Sequence, residues 1–184
     1  MYRKTLMLTL CAVMLLILTT ASLAESDWTA PTAGSAFSLE GDMGLCVGGN
    51  WFPILNYFDD AGLKGALGDP IDMLAAPSCA FKGDDKEFTY DGISIYTNPL
   101  GDQDVWYEAY ITGGDWTTTR GIGIGSSREE VLAAYGEGHY GDSEDYITWS
   151  VSGDPRDFAS PCITFTFEND AVTCVDIYYP TNTL

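Results

Sequence analysis

The chain is short of positive charge and almost without histidine. Eight Lys and Arg stand against 27 Asp and Glu in 184 residues, a formal net charge of −19. A surface of that sign repels nucleic acid and anionic lipid, which excludes both as expected partners. His139 is the single histidine, and it lies in a glycine-rich stretch. Ser-His-Asp or Cys-His chemistry would have to use it, yet no Gly-x-Ser-x-Gly elbow is present. No cysteine pair has the C-x-x-C spacing of a zinc or redox site. No apolar run reaches the roughly 20 residues needed to cross a bilayer. Gly121-Ile122-Gly123-Ile124-Gly125 is no dinucleotide loop, because Ser126 stands where the last glycine is needed and no βαβ unit surrounds it. No nucleotide, metal or other cofactor is expected.

The amino terminus reads as an export signal. Arg3 and Lys4 precede an apolar stretch from Leu6 to Leu18, and Ser22-Leu23-Ala24 fits a small-x-small cleavage site. Residues 1–24 are therefore expected to be a cleaved signal peptide, with the mature chain secreted or extracytoplasmic. The signal removes two basic residues and no acid, leaving six bases against 27 acids. Such a surface suits solubility, cation screening or a basic partner. Five Trp, eleven Tyr and eight Phe argue for a folded core rather than an acidic disordered tail. Residues 25–40, rich in Ser, Thr, Ala and Pro, read as a flexible leader. Cys46, Cys79, Cys162 and Cys174 remain in the mature chain, and an even count in an exported protein favours two disulfides in one of three connectivities.

The remaining sequence resembles itself. Gly44-Leu45-Cys46-Val47-Gly48 aligns with Gly121 to Gly125 at an offset of 77, Ile54-Leu55 then falling on Val131-Leu132 and Phe58 on Tyr135. Each block predicts a short strand, a glycine turn and an amphipathic helix. Ser127-x-x-Glu130 is a capping box, and Pro53 suits a first helical turn. Phe88–Tyr90 and Ile147–Val151 predict strands. So do Ile93–Thr97 with Ile163–Phe167, and Val105–Ile111 with Thr173–Tyr179. The last pair aligns at an offset of 68, which places Glu108 on Asp176 and Tyr110 on Tyr178. The longer first loop holds Pro77-Ser78-Cys79 and Gly83-Asp84-Asp85. The expected fold is α+β: two tandem helix-plus-antiparallel-hairpin repeats, 41–114 and 115–184. They would form one twisted antiparallel sheet with short helices on one face.

Period-2 alternation gives each strand a buried and a wet side. Val105, Tyr107, Ala109 and Ile111 are assigned to the core, as are Val175, Ile177 and Tyr179. Trp106, Glu108 and Tyr110 then face outward with Cys174, Asp176 and Tyr178. Cys162 shares the face of Cys174, which favours a Cys162–Cys174 bridge and leaves Cys46–Cys79.

The segment Gly121 to Val131, closed by Tyr135-Gly136, resembles the repeat of the β-lactamase inhibitor protein fold and of the SmpA/OmlA outer-membrane-assembly lipoproteins. That resemblance covers about residues 41–181. It implies a helix-backed antiparallel sheet whose open face grips a protein. The first-repeat turn departs from it, being Gly48-Gly49-Asn50, and no lipobox cysteine is present.

Function is expected to lie on the open face. Tyr96, Trp106, Glu108, Tyr110, Asp176 and Tyr178 would make an aromatic, acidic patch for a protein partner. The expected protein is a non-enzymatic, inhibitor-like binding module. Two alternatives stand beside it: an acidic carbohydrate hydrolase using paired carboxylates, and a structural envelope domain. Asp102, Asp104, Asp142, Glu144 and Asp145 read as turn residues rather than a calcium loop.

Overall fold

The computed structural model describes residues 28–136, 145–154, 157 and 159–181; the signal segment, His139, Asp142 and Glu144 lie outside them. In chain order the elements are α1 (Leu39–Asp42), β1 (Gly44–Val47), β2 (Asn50–Pro53), α2 (Leu63–Leu67), β3 (Asp72–Pro77), β4 (Asp84–Tyr90), β5 (Ile93–Leu100), β6 (Gln103–Ile111), β7 (Thr117–Thr118), α3 (Arg128–Tyr135), β8 (Tyr146–Ser150), β9 (Cys162–Glu168) and β10 (Ala171–Tyr178). Seven strands form one antiparallel sheet in the order β3-β4-β5-β6-β10-β9-β8, and β2-β1-β7 form a small second sheet. No described helix is long and apolar enough to cross a membrane.

Local chemistry decides the turns. Gly48 and Gly49, at φ 56° and 82°, join β1 to β2 with Val47 opposite Asn50. Two positive φ values in a two-residue loop suit the twist of a hairpin. Asn169 and Asp170, at φ 50° and 64°, do the same between β9 and β10. The Gly48-Gly49-Asn50 segment thus makes a hairpin where a strand-to-helix turn was expected. Pro53 ends β2, and the helix expected in the first block is only the five residues of α2. The helix of the second block, α3, follows its sequence signals. Ser127 N–H donates to Glu130 Oε2 at 2.7 Å and Glu130 N–H donates to Ser127 Oγ at 3.2 Å, and Val131 and Tyr135 point inward.

One side of the seven-stranded sheet carries the core. Across the strands, Phe88, Ile95, Ala109, Ile177, Ile163 and Trp149 form one buried row. Tyr90, Ile93, Ile111, Val175, Phe165 and Ile147 form the next. Tyr135 of α3 lies 5.2 Å from both Trp149 and Phe165, ring centre to ring centre. Met43, Leu45, Leu63 and Val131 complete the cluster. Burying one such side chain contributes on the order of 1.5–3 kcal/mol.

The segment expected to be a flexible leader is docked from Trp28 onward. Trp28 stacks on Trp51 at 5.0 Å, and Phe37 meets Tyr135. Arg120 donates to the carbonyls of Ser35, Ala36 and Ala134 and pairs with Asp42 at 2.6 Å. Both partners of that ion pair are almost wholly buried.

Candidate functional site: the outer face of the sheet

The opposite face of the seven-stranded sheet is lined by side chains that alternate away from the core. Strand register aligns Leu74, Glu87, Tyr96, Glu108, Tyr178, Cys162 and Ser150 in one row from β3 to β8. Thr89, Ser94, Tyr110, Asp176, Thr164 and Thr148 form the adjacent row. At the central seam, Glu108 faces Tyr178 and Tyr110 faces Asp176, on either side of the Ala109–Ile177 pair. Each acid therefore has a tyrosine directly across and the other acid on the diagonal, about 7–8 Å away.

Five of the six expected site residues, Tyr96, Glu108, Tyr110, Asp176 and Tyr178, are brought together here. Trp106 is not. A bulge in β6 sets Tyr96 opposite Glu108 but Thr97 opposite Trp106, so Tyr107 is the extra residue. Past such a bulge the alternation reverses. Trp106 turns into the core with no exposure, and Tyr107 joins the outer face, its ring 6.4 Å from that of Tyr178. Val105, buried but outside the core cluster, also changes side. The bulge lies where β6 changes partner. Residues 108–111 pair with β10, whereas Trp106 N–H donates to Asn56 and Leu55 and Phe58 donate to Trp106 and Asp104. A concavity of about 300 Å³ lined by Phe52, Tyr57 and Leu63 lies beside Trp106. The sequence carried one sign of this: Val105-Trp106-Tyr107 are three large apolar residues in a row, which strict alternation does not allow.

The cysteines do not form the expected bridges. All four, Cys46, Cys79, Cys162 and Cys174, are free. Cys174 lies opposite Thr166 and Cys162 opposite Tyr178, a separation of four residues, or roughly 13 Å along the strand. A disulfide needs Cα atoms about 4.4–6.8 Å apart. Cys46 belongs to the small sheet, and Cys79 to the exposed turn after β3 at the edge of the large one.

The electrostatics of the face are those of acids held out of water. Burial, followed by the charges of Asp176 and Glu87, pushes Glu108 up to about 7. Burial pushes Asp176 up to about 6, and its Oδ1 is buried without a hydrogen-bond partner. Burial also raises Cys162 to about 11. Burial, then a hydrogen bond to Glu87 at 3.1 Å, raises Tyr96 to about 12. Among the described residues, Lys64 pairs with Asp60, Lys86 with Asp104, Arg120 with Asp42 and Arg128 with Asp170. Asp104 is one of those partners, so the Asp102–Asp104 turn is tied to Lys86. No group of three or more His, Cys, Asp or Glu suited to a metal occurs among the described residues.

Family models, curated proteins and solved structures offer no match to this chain.

Proposed function

We infer that this is an exported, non-enzymatic binding module that grips a basic protein with the outer face of its sheet. The observation that carries the reading is the half-buried cluster of Glu87, Glu108 and Asp176 among Tyr96, Tyr107, Tyr110 and Tyr178, which takes no part in the ion pairs Lys64–Asp60, Lys86–Asp104, Arg120–Asp42 and Arg128–Asp170 of the described residues. Tyrosines supply contact area at small entropic cost. Half-desolvated acids favour a cation that replaces the lost water. A tandem duplication of the strands belongs to the same proposal. The sequence offset of 68 that equates Glu108 with Asp176 also equates Ala109 with Ile177, and those two residues are paired at the seam. β4, β5 and β6 then mirror β8, β9 and β10 about that pair. The resemblance to inhibitor-type repeats belongs to the same proposal.

The test is capture from extracellular and envelope fractions, followed by titration of the purified partner. The Tyr110→Ala/Tyr178→Ala variant is expected to bind at least 10-fold more weakly, two hot-spot rings being lost. Raised salt is expected to weaken the wild type. A partner that binds both forms equally overturns the reading.

The carbohydrate-hydrolase reading keeps one supporting observation, two carboxylic acids, Glu108 and Asp176, on the diagonal of one strand pair with raised proton affinities. Reducing-sugar release from polysaccharides, abolished by Glu108→Gln, would replace the binding reading. The pair stands on a pleated surface rather than between cleft walls, which favours binding.

A further inference from the structure

The two ends of the large sheet differ. In β8, residues 147–150 are buried, whereas all six residues of β3 are exposed. Edge strands are normally guarded by lysine, a bulge, a proline or a covering element. β3 has an unbroken register with β4, no lysine, and a proline only at its last position. Apolar side chains in it and just before it stand in solvent: Leu74 is 60% exposed and Met73 49%, and Ile71, the residue preceding the strand, 73%.

Register identifies which backbone groups are open. Ser78 N–H donates to Gly83, directly opposite it in the β3–β4 hairpin. Alternate residues therefore point to β4, namely 78, 76, 74 and 72, while 77, 75 and 73 point to solvent. Ala75 thus offers an open N–H, Met73 N–H is held only by the neighbouring Asp72 Oδ1 at 2.9 Å on the solvent side, and Met73, Ala75 and Pro77 turn their carbonyls outward. Leu74 begins the outer-face row that continues to Glu87, Tyr96 and Glu108.

We propose that β3 is a strand-addition site for an extended, cationic segment of a partner protein, with Lys or Arg alternating with apolar residues. This rests on the binding reading above and specifies how the partner enters. An added strand lies about 4.8 Å beyond β3, so Glu87 is about 10 Å from it, within reach of a leaning Lys or Arg side chain. The cationic positions of the segment share the outer face with Glu87, and its apolar positions cover Met73 on the other face. Charge selects this occupant over a second copy of the chain, which would bring another 19 net negative charges.

The probe is a capped nine-residue peptide of alternating Lys and Val, followed by fluorescence anisotropy with the whole mature chain. Wild-type protein is expected to bind it. Ala75→Pro removes one outward N–H without touching the β4 ladder, a place where an edge strand tolerates proline, and is expected to weaken binding at least 10-fold. Leu74→Lys, at an exposed position, is expected to do the same by repulsion and stands in should Ala75→Pro misfold. Equal binding of a Glu-Val peptide, or full binding by Leu74→Lys, would overturn the proposal. So would a wild-type dimer in sedimentation that Leu74→Lys dissolves, since the occupant is then a second copy. If those variants keep the captured partner while the tyrosine variant loses it, the edge proposal fails and the face reading stands. If all of them keep it, both fail.

Discussion

Glu108→Gln is expected to make the protein more stable, and only where the glutamate is charged. In the fold Glu108 holds its proton up to about 7 instead of the usual 4.5. Between those values the unfolded chain has released a proton that the folded chain retains. The stabilising contribution of the protonated form is therefore complete below pH 4.5 and is lost as pH rises through 7. Asp176 adds a parallel loss between 3.8 and about 6. At 1.36 kcal/mol per pKa unit, the ceiling for Glu108 is about 3 kcal/mol, and solvent reaching its partly exposed carboxylate reduces this to about 1–2 kcal/mol. Gln keeps the shape without the charge, so Glu108→Gln is expected to gain that amount at pH 8 and almost nothing at pH 4. With a urea m-value of about 2 kcal/mol/M, the midpoint should rise by about 0.5–1 M. Urea melts of both proteins at pH 4, 6 and 8 measure this directly. An equal gain at pH 4 and pH 8, or a loss at pH 8, would refute the claim that the face holds this acid against its ionisation.

Three further outcomes follow from the core and the thiols. Trp106→Ala should lower stability by about 3–5 kcal/mol in urea melts and leave partner affinity of the folded fraction unchanged, because the ring lies under the sheet. Arg120→Met strands Asp42, which is wholly buried. It should cost about 3–5 kcal/mol and open residues 28–38 to proteolysis, read by mass spectrometry of the fragments. In the native protein Cys79 should react rapidly with a thiol reagent, while Cys174 reacts only on unfolding. An intact mass lacking the hydrogens of two disulfides would contradict the free thiols.

Strand positions were legible because each contains its own periodicity. Phe88–Tyr90, Ile93–Thr97, Ile147–Val151 and Ile163–Phe167 all fall within or beside observed strands. The α3 start was legible for a similar reason: Ser127 and Glu130 carry a local hydrogen-bond pattern that needs no distant partner. What depended on pairing was not legible. The bulge at Tyr107 exists because β6 meets β10 along one half and residues 55–58 along the other. No local pattern encodes that exchange, so Trp106 and Tyr107 were assigned to the wrong sides. The Cys162–Cys174 bridge failed on register, since a shared face does not make two residues neighbours. The Gly44–Gly48 alignment misplaced the first helix because Gly48-Gly49 suits a hairpin as well as a helix start. The leader looked flexible by composition, but Arg120, more than 80 residues downstream, binds it through carbonyls that any residue possesses. Of the outer face, the residues around the seam were foreseen, and Glu87, Leu74 and Tyr107 were missed.

The bare strand at Asp72–Pro77 also bears on colloidal behaviour. An exposed, largely apolar edge strand with open backbone groups templates its own kind, and here like-charge repulsion between whole molecules is the safeguard. That safeguard depends on acidity: near the sequence isoelectric point of about 4.1 the repulsion vanishes while the strand is unchanged. Acidified solutions should cloud through edge-to-edge sheet growth, and a single lysine at position 74 should keep them clear.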